Sequence, residues 1–396
     1  MKKKILYIET AKETGGSVFS LYYLVKLLDR DKFSPIIVLH NRGAYIDKFK
    51  ELEIPILTLE TSKRAISKII SRCRMILAQA EHPKIIKYLA AVCCQIFITV
   101  PATLKLINII KRNAIDLVHL NDQLRGHKAG IIAAKLTGIP VICHQRMFAN
   151  LNFIDLAFAK RIEKFICNSY FVQETIKSAG IPEDKTIVVY NGLILDDWKP
   201  DSANRKTRMG NNRLTVAIVG RLARRKGHHH FIQAIAKLAQ VFSNVKSFVI
   251  GGSVNDDPQY EALLRREVMD LGLNNKIIFT GFDTNMPKTL ASVDVLVHCS
   301  TDPESFGRVI IEGMALGKGV IGTSIGAVPE LIEHGISGLL VPPADPDALA
   351  EALVGLALNR LFLKKLGIKA RERVSSNFNM KRNILQIQSV YEQILK

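Results

Sequence analysis

The stretch PESFGRVIIEGMALGKGVI, residues 303–321, reads as a loop, a helix and the start of a strand. Before it comes VDVLVH (293–298), an apolar run typical of a buried strand, and the helical pattern ends at Gly317. Glu304 is therefore predicted where a strand passes into a helix, and Glu312 about one turn inside that helix. Because N–H groups at a helix start are unpaired and the dipole favours negative charge there, the loop is a candidate site for anions and hydroxyl groups. Alternatively, Glu304 caps the helix and Glu312 is an ordinary helix acid.

The same alternation of apolar runs and helical patterns continues along the whole chain. Such alternation predicts parallel sheets with helices on both faces. The predicted strands are at 4–8, 35–39, 115–120, 140–144, 164–168, 186–190, 214–220, 245–252, 276–281, 293–298, 319–322 and 338–342.

At 396 residues the chain is too long for one hydrophobic core, and two domains are expected. The predicted fold class is α/β, with two facing, doubly wound, Rossmann-like domains and a cleft between them at the carboxyl ends of the strands. The predicted boundaries are 1–197 for the first domain, 198–213 for a polar linker, 214–378 for the second domain, and 379–396 for a final helix that could cross back to the first domain.

The charge balance is strongly basic, with 55 Lys and Arg against 36 Asp and Glu, a net charge of +19. This predicts a partner with negative charge: nucleic acid, an anionic membrane or a phosphorylated substrate. Aromatic residues make up 7% and no recognition helix is evident, which disfavours nucleic acid. The six cysteines have no CxxC spacing, and Glu9 interrupts the first apolar run, so a reducing, cytoplasmic location is expected.

One segment, 61–112, departs from the alternation, with ten Lys and Arg and a single acid. Apolar residues in 66–80 recur at helical spacing, and 88–104 carries no charge but includes Pro101. A membrane-spanning helix needs about 20 apolar residues, so a helix lying on the inner face of the membrane is a better interpretation. A helical pair packed on the core, with a solvated basic face, is the alternative. The predicted membrane-contacting residues are Lys63, Arg64, Lys68 and Arg72.

A second basic stretch, 205–226, has eight cations and no acid. Arg221 and Lys226 lie five residues apart in a predicted strand-to-helix turn and could converge on a pyrophosphate. The alternative is a solvated charge run at a helix start. The following run, His228 to His230, resembles a metal tract, but adjacent helical side chains diverge by about 100° and cannot share an ion.

A metal-binding D-x-D motif is suggested by Asp345 and Asp347. However, Asp345 precedes Pro346 at a predicted helix start, the pattern of an N-cap followed by proline. We therefore predict a cap here and no metal site.

With these motifs the chain resembles the family 4 (group 1) retaining glycosyltransferases of the GT-B fold. VGRLARRKG (219–227) matches the family's donor-phosphate turn, and 303–321 contains its E-x7-E motif. The first half matches more loosely at 14–28, 115–122, 141–147 and 188–192. Gly319 stands where the family usually has Pro, and Gln145-Arg146 after His144 is less usual.

The resemblance implies a role for each matching residue. Arg221 and Lys226 would neutralise the donor diphosphate, and Glu312 would hold the ribose. The transferred sugar would be held by Glu304 and the backbone amides of its loop, with His144 nearby. The remaining donor-binding residues are Gly15 and Gly16 in the first-strand loop and Ser305, Phe306, Gly307 and Arg308 after Glu304; weaker candidates are Asn121, Asp122 and Glu330.

The activity implied is transfer of a hexose from a UDP- or GDP-sugar to a hydroxyl group of a lipid-linked or cell-envelope glycan, as in polysaccharide or lipopolysaccharide synthesis, without metal or other cofactor. No second carboxylate is evident as a covalent nucleophile, so front-side attack by the acceptor with retention is expected. A nucleotide-sugar epimerase of the same architecture is the alternative; it would turn over UDP-GlcNAc without an acceptor. A non-catalytic basic binding protein is a further alternative.

Overall fold

The structure, a computed structural model, describes residues 1–10, 16–40, 46–59, 83–199, 213–253, 257 and 259–396. The predicted amphipathic helix at 66–80 and most of the predicted linker lie outside these residues. So do Gly15 and the predicted membrane-contacting residues Lys63, Arg64, Lys68 and Arg72.

The described chain divides into two compact units. The first unit comprises Met1–Asn168, Val172–Val189 and Ile384–Lys396, and the second comprises Ser169–Phe171 and Tyr190–Asn383.

The first unit is built on a parallel sheet of seven strands. These are β1 (Lys3–Glu9), β2 (Phe33–Leu39), β3 (Ile56–Thr58), β4 (Leu117–Asp122), β5 (Val141–Gln145), β6 (Lys164–Cys167) and β7 (Thr186–Val188), in the order β3-β2-β1-β4-β5-β6-β7. Ile5, Leu6 and Tyr7 are all fully buried. Since successive strand residues point to opposite faces, both faces of the sheet are covered.

The described residues of this half of the chain form six helices: α1 (Gly16–Lys26), α2 (Ile46–Lys50), α3 (Pro83–Asn113), α4 (Lys128–Thr137), α5 (Phe153–Ala159) and α6 (Tyr170–Ser178). The uncharged run predicted at 88–104 lies within α3, with Pro101 inside the helix. Among the described helices, none has an apolar stretch long enough to span a membrane.

The second unit has a parallel sheet of six strands: β8 (Leu214–Val219), β9 (Val245–Ile250), β10 (Ile277–Gly281), β11 (Val295–His298), β12 (Gly319–Thr323) and β13 (Leu339–Val341), in the order β10-β9-β8-β11-β12-β13. Its helices are α7 (His228–Val241), α8 (Tyr260–Asp270), α9 (Met286–Ala291), α10 (Arg308–Ala315), α11 (Val328–Leu331), α12 (Pro346–Leu358) and α13 (Arg360–Asn377). Alternate residues of β11 belong to two different apolar clusters, so this sheet too is covered on both faces.

The last helix, α14 (Met380–Ile394), contributes its residues from Ile384 onward to the first unit. Tyr391 is fully buried there. Its hydroxyl lies 2.6 Å from His119 Nδ1 and 3.2 Å from the Tyr7 hydroxyl. These contacts attach α14 to β1 and β4.

The predicted fold class, an α/β protein with two doubly wound, Rossmann-like parallel sheets, is confirmed. All twelve predicted strands are present among the thirteen described. The missed strand is β3, which has only three residues, all half-buried, at the edge of its sheet. A run this short shows no periodicity that separates it from a loop.

Candidate functional site

The turn after β8 is fixed by a glycine. A 3-10 turn, Arg224–Lys226, leads into α7 through Gly227, whose φ is 70°. A Cβ at Gly227 would lie 1.9 Å from the carbonyl oxygen of Cys299, the residue after β11. Only glycine fits, so this basic turn is packed directly against the end of β11.

The two predicted phosphate-binding cations of this turn differ in environment. Arg221 is exposed, and within the described residues its guanidinium has no hydrogen bond or ion pair. The Lys226 side chain is only 19% exposed. Its stem lies beside Gly220, where an added Cβ would be 3.8 Å from the Lys226 Cγ and Cδ. Lys226 is thus held in place, whereas Arg221 is available to a ligand.

The Lys226 ammonium contacts the carboxylate of Glu304, the first glutamate of the E-x7-E motif. The same Glu304 oxygen accepts a hydrogen bond from Ser300 Oγ at 2.9 Å and lies 3.5 Å from Arg225 Nη1. Burial alone would raise the pKa of Glu304, but the charges of Lys226 and His298, with the hydrogen bonds, outweigh it and lower that pKa. Glu304 is therefore an ionised carboxylate beside a cation.

The backbone of the Glu304 loop is fixed by the segment after β12. Gly326 has φ of 61°, and a Cβ there would lie 2.5 Å from both the backbone nitrogen and oxygen of Glu304. Ala327 donates its N–H to the Glu304 carbonyl at 2.9 Å. Thr323 Oγ1 donates to the Ser300 carbonyl at 2.8 Å. The position of Glu304 is thus set by close backbone packing.

Helix α10 begins without a side-chain cap. Its N-cap is Gly307, with φ of 92°, which has no side chain to accept from the first N–H groups. The alternative in which Glu304 caps this helix is therefore wrong. Phe306 is buried against Tyr190 and Phe378, and the Ser305 carbonyl accepts from Ser169 Oγ at 2.8 Å. The loop before α10 thus leaves the helix start open to a ligand.

Glu312 is the fifth residue of α10, and its side chain is 14% exposed. One of its oxygens lies 3.7 Å from Nε of Arg308, one helical turn earlier. Burial raises the pKa of Glu312, and Arg308 opposes that rise only in part. The structure thus brings together two pairs of predicted residues, Lys226 with Glu304 and Arg308 with Glu312.

In the first unit, the predicted residues Asn121 and His144 are register partners in the neighbouring strands β4 and β5. Both are buried, at 0% and 2% exposure. Asp122 ends β4 with φ of 105°, and burial raises its pKa. Gly16 is the first residue of α1, whose next residue, Ser17, accepts a hydrogen bond from Asn121 Nδ2 at 3.2 Å.

Glu330, a weaker candidate, is engaged with backbone amides. Its two carboxylate oxygens accept from the N–H groups of Tyr170 at 2.8 Å and Phe171 at 2.6 Å, the first two residues of α6. This is the arrangement of an anion at a helix N-terminus. A structural role for Glu330 follows directly from these contacts.

The predicted cap at Asp345 is confirmed. Its side chain accepts a hydrogen bond from the Ala348 N–H at 2.9 Å, and Pro346 is the first residue of α12. Among the described residues, no group of three or more His, Cys, Asp and Glu side chains is arranged to hold a metal ion.

The structure adds residues that sequence reasoning missed. Ser300 and Arg225 surround Glu304, and His298 is buried close by. In the first unit, Glu9 and Arg146 are buried around Asn121. The sequence offered two signals for these residues: Glu9 ends the first apolar run, and Arg146 directly follows a predicted buried strand.

Two family models match consecutive parts of the chain. The model described as Glycosyltransferase Family 4 matches residues 14–197, and the one described as Glycosyl transferases group 1 matches residues 201–373. Individual proteins match more distantly. N-acetyl-alpha-D-glucosaminyl L-malate synthase of Bacillus anthracis is 30% identical over 165 residues, which are 42% of this chain and 42% of that protein.

The lipopolysaccharide core biosynthesis mannosyltransferase LpsB of Rhizobium meliloti (strain 1021) is 26% identical over 226 residues, which are 56% of this chain and 64% of that protein. Both matches span less than two thirds of the relative's own length. The crystal structure of Anabaena Alr3699/HepE in complex with UDP and glucose has a TM-score of 0.79 and 24% identity, covering 99% of this chain and 100% of that chain. The chain therefore consists of a part that matches the Glycosyltransferase Family 4 model, followed by a part that matches the Glycosyl transferases group 1 model, and it has the GT-B fold.

Proposed function

We propose that the protein is a retaining, metal-independent hexosyltransferase that moves a sugar from a UDP- or GDP-linked donor to a hydroxyl group of a lipid-linked or cell-envelope glycan. The observation that carries this proposal is the contact of Lys226 with Glu304 beside the uncapped start of α10. In this contact a cation and a carboxylate lie together next to a helix whose N-cap, Gly307, provides no side-chain cap.

Several groups of the second unit have proposed roles in donor binding. Lys226 and the exposed Arg221 neutralise the diphosphate as it leaves, since fixed cations stabilise developing negative charge. The Glu304 carboxylate accepts hydrogen bonds from hydroxyls of the transferred sugar, and the backbone amides of Phe306 and Gly307 donate hydrogen bonds to them. Glu312 accepts hydrogen bonds from the ribose diol.

Three further residues have proposed roles in binding. Amides of the loop at Gly15 and Gly16 approach the diphosphate and acceptor, and His144 lies near the sugar. In the transfer, the bond from the anomeric carbon to the diphosphate oxygen breaks, and its electron pair leaves with that oxygen. The acceptor oxygen bonds to the same face of the anomeric carbon and passes its proton to the leaving diphosphate.

The similar proteins support this assignment in part. The Anabaena structure holds UDP and glucose, and the Rhizobium relative is a mannosyltransferase of lipopolysaccharide core biosynthesis. The net charge of +19 suits phosphorylated donors and lipid-linked acceptors.

The test is release of UDP or GDP from a panel of nucleotide sugars, measured with and without glycan acceptors, for wild type and Glu312→Ala in parallel. The proposal expects release that depends on acceptor and fails in the variant. Turnover of UDP-GlcNAc without acceptor would indicate an epimerase instead.

We further propose that the protein is cytoplasmic and binds the inner face of the membrane through residues 61–112. In the described part of this segment, Val100 and Leu104 of α3 are 48% and 62% exposed. Exposed apolar residues near many cations are typical of helices that bind anionic membrane surfaces.

A further inference from the structure

A chain of buried polar side chains ends at His144. It begins with Glu9 at the end of β1 and continues through Asn121 at the end of β4 to Arg146, which directly follows β5. The three residues are 2%, 0% and 7% exposed. Buried polar groups of this kind must satisfy one another, so their hydrogen-bond directions are determined.

Arg146 determines the orientation of the Asn121 side-chain amide. Its Nε and Nη2 lie 3.1 and 3.0 Å from Asn121 Oδ1. A guanidinium can only donate, so the amide oxygen must face Arg146. The amide nitrogen then faces the other way and donates to the Glu9 carboxylate and to the Ser17 carbonyl. Asn121 thereby holds the guanidinium in one orientation.

The Arg146 backbone is also held in place, like its guanidinium. Its N–H donates to the Asp122 carbonyl at 2.7 Å, and its carbonyl accepts from Asn168 Nδ2 at 3.2 Å. Because both the side chain and the main chain of Arg146 are anchored, the direction of the second N–H of its Nη2 is also fixed.

That donor reaches His144. Arg146 Nη2 lies 3.1 Å from His144 Nδ1. Since the guanidinium offers only N–H groups, Nδ1 must accept, and a neutral ring then carries its proton on Nε2. An imidazolium would place an N–H against an N–H. We propose that Arg146 is a positioning residue that keeps His144 in the Nε2-protonated form, so that His144 donates a hydrogen bond to an oxygen of the donor sugar and takes no proton from the acceptor.

The rest of the His144 environment agrees with this assignment. Its Nε2 is buried and has no hydrogen-bond partner within the described residues. The ring is stacked on His119 at 5.6 Å, and Tyr391 holds His119 in turn. Burial, with the charge of Arg146, keeps the pKa of His144 well below its ordinary value. A buried N–H without a partner is unfavourable, which favours a ligand oxygen at that position.

The assignment of the donated hydrogen bond rests on the proposed function, whereas the tautomer does not. The tautomer is measured on the whole protein labelled with 15N-histidine, by long-range 1H–15N correlation at pH 7, with the His144 signals assigned from His144→Gln. We expect a protonated Nε2 and an unprotonated Nδ1 in wild type. A protonated Nδ1, or an imidazolium, would overturn the proposal.

Arg146→Met extends the test, with Arg125→Met as matched control. Arg125 is a guanidinium of the same unit that pairs with Asp155 at 2.7 Å. Arg146→Met should disturb the single-tautomer pattern and lower kcat about tenfold or more, with UDP affinity within about twofold of wild type, since positioning acts on the reaction step. Arg125→Met should leave both the His144 tautomer pattern and kcat unchanged.

An unchanged His144 pattern in folded Arg146→Met would contradict the proposal. If that variant does not fold, the wild-type spectrum decides. The expected spectrum in a protein that transfers no sugar from any donor would remove the proposed function and leave the tautomer assignment standing.

Discussion

Replacing Lys226 by Met should lower both stability and turnover, whereas Arg221→Ala should lower turnover alone. The Lys226 and Glu304 side chains are 19% and 13% exposed and contact each other. Without Lys226, the mostly buried carboxylate keeps the hydroxyl of Ser300 and the more distant Arg225. Arg221 is exposed and pairs with no described residue, so its removal leaves no buried charge behind.

The size of the stability effect follows from this environment. Removing one partner of a fully buried ion pair costs about 3–5 kcal/mol. Because Glu304 keeps a hydrogen bond and some contact with water, about 1–3 kcal/mol is expected here. For a unit of this size, each kcal/mol lowers Tm by roughly 2–4 °C. Turnover should fall at least about tenfold in both variants, equivalent to about 1.4 kcal/mol in the barrier.

The pH dependence gives a second readout. The pKa of Glu304 is lowered on folding, so its contribution to stability is present above the ordinary glutamate pKa and is lost as pH falls through the folded pKa. Lys226→Met shifts that folded pKa upward, because it removes the largest of the charges that lower it, so less stability should be lost between neutral and acidic pH than in wild type. Thermal unfolding between neutral and acidic pH measures this shift, and nucleotide release measures turnover.

The double variant Lys226→Met with Glu304→Gln is the control, since it removes the buried charge that the single variant leaves. It should recover part of the lost stability but none of the activity. If Lys226→Met and Arg221→Ala unfold at the same temperature, the buried pair contributes nothing. Near-normal rates in both would remove their role at the diphosphate.

The remaining predictions concern the glutamates, the Glu304 loop and the membrane. Glu312→Ala should weaken binding of free UDP or GDP, whereas Glu304→Ala should spare it and damage only turnover; calorimetry showing equal loss in both would refute this division. Gly326→Ala should lower stability by about 1–3 kcal/mol and reduce turnover, because the added Cβ would displace the Glu304 backbone. The control is Gly335→Ala, at φ of 75° with nothing within 4 Å of an added Cβ, which should lose stability but keep its turnover. Equal activities of the two variants would refute the argument that the added Cβ displaces Glu304. Wild type should sediment with anionic liposomes at low salt, be released by high salt and bind neutral liposomes little, as each Lys or Arg contributes about 1 kcal/mol. Reversing the charges of Lys63, Arg64, Lys68 and Arg72 should abolish liposome binding without changing donor hydrolysis. Unchanged liposome binding in this variant would show that the basic residues form only a solvated helix face.

Strands were largely predictable from sequence, because buried parallel strands are continuous apolar runs bounded by turn residues. The edge strand β3 was not, since three residues carry too little pattern. The strand-to-helix junction at Glu304 was predicted correctly from the apolar run 293–298 and the helical pattern that follows it, because both patterns are local.

The partner of Glu304 could not be predicted. Lys226 is 78 residues away in the chain, and the two meet only because β8 and β11 are neighbours in the sheet. Strand order depends on packing between distant elements, which a local pattern does not contain. Likewise, Arg146 looked like a departure from the family pattern, and its contact with His144 depends on burial between β4 and β5.

The buried contact between Tyr391 and Tyr7 joins residues 384 positions apart and has a consequence for folding during synthesis. At about 5–20 residues per second, roughly 20–80 s separate the appearance of the two tyrosines on the ribosome. Throughout that interval the first sheet lacks the helix that covers Tyr7 and His119, and by its end every residue of the second unit has been made. The N-terminal half of the chain should therefore complete its folding last, and a nascent chain arrested before Tyr391 should expose this part of β1 and β4 to proteases and chaperones.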